Sequence, residues 1–321
     1  MAEVETVDKN DKVKVLYIAG FGRSGSTILA NSLGQVPGLF STGEMNFVWK
    51  HTFLENRLCG CGRTLQECPV WSEVFSRAFG GMNEARAQEI MASMHAGART
   101  RHVGKMLTEK GRNELRPRMK EFLSASEKLY RTIPSVTGDR VIVDSSKEPA
   151  YGYAVGMIPS VDLRVLHLVR DPRAAAYSWI KQKQQPDSQD REFMHQKSAR
   201  DSALLWSTWN AATEALWRDE KKTGSYLRLR YEDFVSDPKT SLRNILDFIG
   251  ESDAKLPLTD EAEVRMGVTH TVSGNPNRFD TGSVKLQRDD RWKKQMSKKD
   301  LNTVTALTAP LLLRYGYPLG G

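Results

Sequence analysis

Three short apolar runs stand out from an otherwise polar chain. Val13 to Ala19 is almost unbroken, and Arg140-Val-Ile-Val-Asp-Ser-Ser-Lys147 and Leu163-Arg-Val-Leu-His-Leu-Val-Arg170 are rich in β-branched residues and end abruptly in charged or hydroxyl groups. Runs of this length and composition predict buried parallel strands. Between the first two, Trp71 to Ile133 spaces Met, Ala and Leu among charges in a helical pattern, with Gly80-Gly81, Gly97 and Gly104 as expected interruptions. Asp190 to Lys222 reads as a second helical stretch. Its Trp206, Trp209 and Trp217 are spaced to share one face, and core packing is their expected use. Thr303 to Tyr315 closes the chain as an amphipathic helix. Strands alternating with helices predict one α/β domain with a parallel sheet and a helical insertion. The strand ends lie together along one edge, where ligands bind.

Chemistry gathers at those strand ends. After the first strand, Gly20, Gly22 and Gly25 allow a turn that directs several backbone N–H groups at one anion. A helix expected to start near Ser24 points its positive end the same way. A nucleoside-triphosphate loop needs a lysine before its Ser/Thr. Here Gly25 precedes Ser26-Thr27, and the cation is Arg23, whose guanidinium can fork onto phosphate oxygens. Taken alone, such a glycine pattern also suits a plain strand-to-helix turn. The third run ends in Arg170, then Asp171-Pro172 starts a helix and Ser178 follows about two turns in. Arg170 and Ser178 therefore form a candidate second phosphate site.

In these segments the chain resembles the sulfotransferases that use 3′-phosphoadenosine-5′-phosphosulfate (PAPS). Gly22-Arg-Ser-Gly-Ser-Thr27 is similar to their 5′-phosphosulfate loop, and Arg170-Asp-Pro-Arg-Ala-Ala-Ala-Tyr-Ser178 to their 3′-phosphate motif. Leu229-Arg-Tyr-Glu-Asp-Phe234 with Leu242 to Gly250 is similar to the strand and helix that close their core. The resemblance implies a P-loop-type parallel sheet flanked by helices, the sulfotransferase fold. It divides a single domain into a phosphosulfate-loop unit (12–44), a helical cap and acceptor insertion (45–135), a core with the 3′-phosphate site (136–250) and a C-terminal cofactor-covering loop and helix (251–321). PAPS is then the sulfuryl donor and the 3′,5′-bisphosphate PAP the product, with Gly22, Arg23, Ser24, Gly25, Ser26, Thr27, Arg170 and Ser178 on the cofactor. The family closes a basic Arg-Lys-Gly loop over PAP, which this chain lacks; Asn277 and Arg278 are the substitutes.

For catalysis, Arg23 and the loop amides would neutralise the leaving phosphate, and Lys147 would reach its bridging oxygen. The competing use of Lys147 is a surface pair with Asp144 or Glu148. Glu44, in Ser41-Thr-Gly-Glu44, resembles the general base of tyrosine sulfotransferases, offset by one position. His51 competes for that role, and a structural Glu44 that caps a helix or pairs with Arg23 is the plain alternative. Because a sulfuryl group carries less charge than a terminal phosphate, no metal is required for transfer.

Composition narrows the partners. The 321 residues carry 47 basic and 39 acidic side chains, a net +8 that suits an anionic cofactor. Aromatic residues are not interleaved with the basic ones as in single-strand binders, so nucleic acid is not expected. The polar, acidic stretch Met1 to Lys12 has no signal core and no run is long enough to span a membrane, so a cytoplasmic location is expected unless an anchor has been trimmed. Three cysteines cluster at Cys59, Cys61 and Cys68. Zinc with His51 as fourth ligand and a disulfide leaving one thiol over are both conceivable. The irregular spacing favours instead a reduced loop packing Pro69 and Trp71, with no metal. A nucleoside or small-molecule kinase on the same fold and a catalytically silent nucleotide-binding module are the alternatives. The expected acceptor is a hydroxyl of a small metabolite or carbohydrate.

Overall fold

A computed structural model describes residues 12–188, 193–219, 224–259 and 263–320. The first eleven residues, and Asp190 and Lys222 at the ends of the second helical stretch, lie outside them. Strand β1 (Val13–Gly20) leads through helix α1 (Ser26–Leu33) to β2 (Leu39–Gly43). The insertion follows, with α2 (Pro69–Phe79), α3 (Glu84–Gly97), the short α4 (Val103–Met106), α5 (Glu109–Arg118) and α6 (Lys120–Thr137). The core resumes with β3 (Val141–Lys147), α7 (Pro149–Val155), β4 (Val161–Val169), α8 (Pro172–Ile180), α9 (Ala199–Leu216), β5 (Tyr226–Arg230), α10 (Tyr231–Ser236) and α11 (Pro238–Ile249). A small hairpin, β6 (Val264–Met266) with β7 (Gly282–Val284), precedes α12 (Trp292–Gln295) and α13 (Lys298–Arg314).

The five core strands are parallel in the order β2-β3-β1-β4-β5. The chain leaves β1 toward one edge and later crosses to the other, so the crevice beyond β3, β1 and β4 is the switch point where such sheets bind ligands. Alternation along β1 assigns its two faces. Val15, Tyr17 and Ala19 pack into a cluster built with the insertion, including Trp71, Phe122 and Tyr130. Leu16 and Ile18 pack on the opposite side with Leu29, Leu33 and the α11 residues Leu242, Ile245 and Leu246.

Several sequence expectations change in detail. The first helix begins at Ser26, with Gly25 as its cap, rather than at Ser24. Leu39–Gly43 is an edge strand that the mixed Ser41-Thr42 composition concealed. Gly80 ends α2 at a φ of 67°, but Gly97 and Gly104 lie within helices. Gly97 is there for contact, since a Cβ on it would come within 2.3 Å of Met119. The last helix starts at Lys298 instead of Thr303, capped by Ser297 accepting from the Asp300 amide. The tryptophans are core residues. Trp206 is fully buried, Trp209 packs edge-on against Phe21, and Trp217 follows the end of α9 and meets Tyr17 and Tyr153.

Candidate active site

The loop from Gly20 to Ser26 is shaped by close packing as well as by glycine freedom. Gly25 has a φ of 86°, and a Cβ there would lie 2.3 Å from the Tyr231 ring. A Cβ on Gly22 would lie 2.7 Å from Trp179, whose indole N–H donates to the Gly22 carbonyl at 3.2 Å. Between these glycines Arg23 takes a φ of 67°, a left-handed conformation that costs a non-glycine residue energy. Its guanidinium lies 4.8 Å over the Trp179 ring and its Nη2 touches the Met194 sulfur at 3.2 Å. Burial lowers the Arg23 pKa, and the nearby Glu44 charge works against that shift.

Arg170, at the tip of β4, donates from Nη1 to the Arg23 carbonyl at 2.9 Å and lies over the Tyr231 ring at 4.5 Å. The buried Ser24 Oγ, Arg23 Nε and Arg170 Nε have no hydrogen-bond partner. Buried polar groups are normally satisfied, so three unpaired ones on adjoining loops are what an anion would complete. Ser26 is buried at the first turn of α1, and the Thr27 hydroxyl accepts from the Asn275 amide at 3.1 Å.

At the tips of the neighbouring strands β2 and β3, the Lys147 ammonium meets Glu44 Oε1 at 2.7 Å and the Ser145 carbonyl at 2.9 Å. Lys147 also holds a positive φ, 68°, so two of the three described non-glycine residues with positive φ are the candidate catalytic cations. The pair is largely buried, not a surface contact. Asp144 is occupied elsewhere. It is fully buried, accepts from Tyr130 Oη at 2.6 Å and from the Ser146 amide at 2.9 Å, and burial raises its pKa to about 6. Ser146 Oγ accepts from the Asn46 amide at 3.0 Å, fixing the backbone just after Glu44.

His51 is placed differently. Its ring stacks on Phe47 at 4.9 Å, and Nε2 lies 3.6 Å from Glu55. Burial first, then Arg57, Lys50 and Arg278, hold its pKa well below the usual imidazole value.

Ser178 is buried on α8, two turns from the Asp171 cap, which accepts from the Arg173 amide at 2.9 Å. A cleft beside Arg170 is closed by Tyr231 and by Arg288, Asp289 and Trp292 from the C-terminal segment. Asn277 Oδ1 is buried without a partner, whereas the Arg278 terminal nitrogens are taken by the Thr271 and Leu58 carbonyls and by Asp187 at 3.0 Å. Arg278 thus braces the loop from Thr269 to Phe279 internally. Lys183 went unnoticed in the sequence. Its pKa falls to about 8, mainly through burial and then through Arg23 and Arg170, which makes it a third cation at the same place. Its position five residues after Ser178 was the available signal. Of the rings beneath the arginines, Tyr231 lay within the Leu229 to Phe234 segment with nothing to mark its contact, and Trp179 carried no signal.

Residues 16–255 match the model of the Sulfotransferase family. Mouse (Mus musculus) carbohydrate sulfotransferase 3 is 27% identical over 176 residues, covering 50% of this chain and 35% of that protein. Mouse carbohydrate sulfotransferase 2 is 32% identical over 124 residues, covering 29% and 23%. The match therefore spans about a third or less of the length of these relatives. The solved sulfotransferase domain from the curacin biosynthetic pathway shares the fold at a TM-score of 0.52 and 16% identity, over 96% of this chain and 99% of that one. Among the described residues no helix is long and apolar enough to cross a membrane. By a match that runs from the first core strand past the last, the chain belongs to the sulfotransferase family.

Proposed function

We propose that the protein transfers the sulfuryl group of PAPS to a hydroxyl, with Glu44 as general base. The observation that carries this reading is the contact of Glu44 Oε1 with Lys147 Nζ at 2.7 Å, which sets a proton acceptor and an ammonium donor together at the tips of adjacent strands. When bound, PAPS supplies the sulfuryl group and a phosphate as its leaving group. Arg23, Ser24, Ser26, Thr27 and the amides from Gly22 to Gly25 would hold the 5′ side, and Arg170, Ser178 and Lys183 the 3′-phosphate. The unpaired Ser24 Oγ, Arg23 Nε and Arg170 Nε fit such a doubly anionic ligand. With one oxygen on Lys147, the other Glu44 oxygen would take the proton of an incoming hydroxyl. Lys147 would donate to the oxygen on which charge develops, and Arg23 would screen that charge. No metal ion is needed in this scheme.

The acceptor is assigned to the carbohydrate or small hydroxylated class, supported by the likeness to carbohydrate sulfotransferases 2 and 3, and residues 45 to 135 are its selecting cap. The test has two stages. PAP should raise the melting temperature where ATP with magnesium does not. The protein with PAPS should then add the mass of one SO3 to a member of a glycan panel, and Glu44→Gln should abolish that gain while keeping the PAP shift. Stabilisation by ATP and magnesium alone would refute the PAPS reading; full turnover by Glu44→Gln would refute the base.

A further inference from the structure

We infer that Cys59, Cys61, Cys68 and His270 form a structural zinc site, contrary to the metal-free loop expected from their spacing. Their candidate ligand atoms all lie within 4.8 Å of one another. His270 Nδ1 is 3.2 Å from the Cys68 sulfur and 4.0 Å from the Cys59 sulfur. Tetrahedral zinc with Zn–S near 2.3 Å and Zn–N near 2.0–2.1 Å has ligand-to-ligand edges of about 3.6–3.8 Å, so these four atoms need only small adjustments. None of the cysteines is in a disulfide. Three thiols and one imidazole make a closed donor set that suits zinc and leaves no open position for catalysis.

The sequence hid this site because its fourth ligand lies 202 positions from Cys68, while the nearer His51 is engaged with Phe47 and Glu55.

The surroundings are built to hold the four groups. Cys59 and Cys61 sit on a tight turn in which the Cys59 amide donates to the Arg63 carbonyl at 2.7 Å and the Gly62 amide to the Cys59 carbonyl at 2.9 Å. Cys68 caps α2, so its sulfur lies at a helix N-terminus, which favours thiolate. Trp71 Nε1 donates to the His270 carbonyl at 2.6 Å, and the Gly60 amide donates to the Thr271 carbonyl at 3.0 Å. On binding, the three S–H groups release their protons to solvent, no atom changes oxidation state, and zinc with three thiolates carries one negative charge. Arg278, hydrogen-bonded to the Leu58 carbonyl, places a cation next to that charge.

The site joins the Cys59–Cys68 loop to the loop that begins at Thr269. Four residues after His270, Gly274 packs on Thr27, and the Asn275 amide bonds to the Thr27 hydroxyl. Zinc would therefore staple the segment lying against the start of α1, a role in stability separate from sulfuryl transfer.

The test uses the full chain, purified without a metal-affinity column and dialysed against EDTA-washed buffer. Elemental analysis should find one zinc per chain, released by a mercurial reagent and read with a zinc dye. Cobalt(II) in its place should give the visible bands of a tetrahedral thiolate site. His270→Ala and Cys68→Ser should lower zinc to background, and His270→Cys should restore it. Chelation at raised temperature should lower the melting point by several degrees. Zinc at background even after incubation with equimolar Zn²⁺, a Cys59–Cys68 disulfide by mass spectrometry, or thiols whose reaction rate with Ellman's reagent is the same with and without added Zn²⁺ would each overturn the inference. Because these readings are made on the unsubstituted protein, they decide it even if the variants fail to fold.

Discussion

Two groups of buried cations lie on neighbouring loops and are treated in opposite ways. Around Asp187, Arg278 is neutralised by a carboxylate at 3.0 Å and two backbone carbonyls, and Arg57 is paired with Glu55 at 2.6 Å. Around the β1 and β4 tips, neither Arg23 nor Arg170 has a carboxylate within ion-pair distance among the described residues; an unpaired Nε occurs in both groups, on Arg23, Arg170 and Arg278, so the missing carboxylate is what separates them. Aromatic faces of Trp179 and Tyr231 lie against them, as Phe279 does against Arg278. A desolvated charge without a counter-ion is costly, and a fold retains it where a ligand brings the opposite charge. The first group is framework and the second is a binding site. Glu44 with Lys147 stands between them, a largely buried ion pair at the strand tips.

The largest effect should come from that pair. Glu44→Gln keeps the size of the side chain but removes the proton acceptor, so kcat should fall about 10²- to 10⁴-fold with PAP affinity nearly unchanged. A stopped assay with PAPS and calorimetry with PAP check the two halves separately. Equal losses in both would make Glu44 part of the framework.

Next in size is the framework itself. Asp187→Asn strands the Arg278 charge in a buried setting and should destabilise the fold by about 3–5 kcal/mol, read from urea unfolding. The same denaturant series on Arg170→Ala should show little or no loss, because removing an uncompensated cation relieves as much as it costs. That variant should instead raise the PAPS KM roughly 10- to 100-fold, the value of one or two charged hydrogen bonds. A reversal, with Arg170→Ala unstable and Asp187→Asn weak in cofactor binding, would interchange the two groups.

The contrast also explains what was legible in the sequence. Gly22 to Thr27 and Arg170 to Ser178 are contiguous, and contiguous segments state their chemistry through spacing alone: the strand, the turn and the helix cap follow from residue types. The β2 strand did not, because Ser41 and Thr42 are polar in a strand buried throughout. Pairwise facts were out of reach for a different reason. Glu44 meets Lys147, and His270 meets Cys68, only after the insertion has folded between or beside them. Arg278 illustrates the limit: its basic character suggested a phosphate, but its neighbours Asp187 and Leu58, far away in the chain, decide its use.

The smallest effect, and the sharpest in sign, is a pH dependence centred on Lys183. In the free protein burial, Arg23 and Arg170 lower its pKa to about 8, against about 10.4 for an unfolded lysine. Between those values the unfolded chain binds more protons than the folded one, so this group makes the ligand-free protein more stable as pH rises through that window. An anionic ligand reverses the preference by favouring the ammonium. Guanidinium groups stay charged through that window, and Asp289, held at about 2 chiefly by its hydrogen bond to Arg291, is ionised throughout. The second ionisation of a phosphate monoester, near 6, is complete below the window. PAP affinity should therefore be level between about pH 7 and 8 and weaken above it, with a slope approaching tenfold per unit as the ammonium is lost. The stabilisation PAP confers should shrink with that affinity from about pH 8 upward, and Lys183→Met should flatten the binding profile at the weaker level. A steep profile surviving in Lys183→Met would remove Lys183 from the cation group and leave Arg23 and Arg170 to hold the phosphates alone.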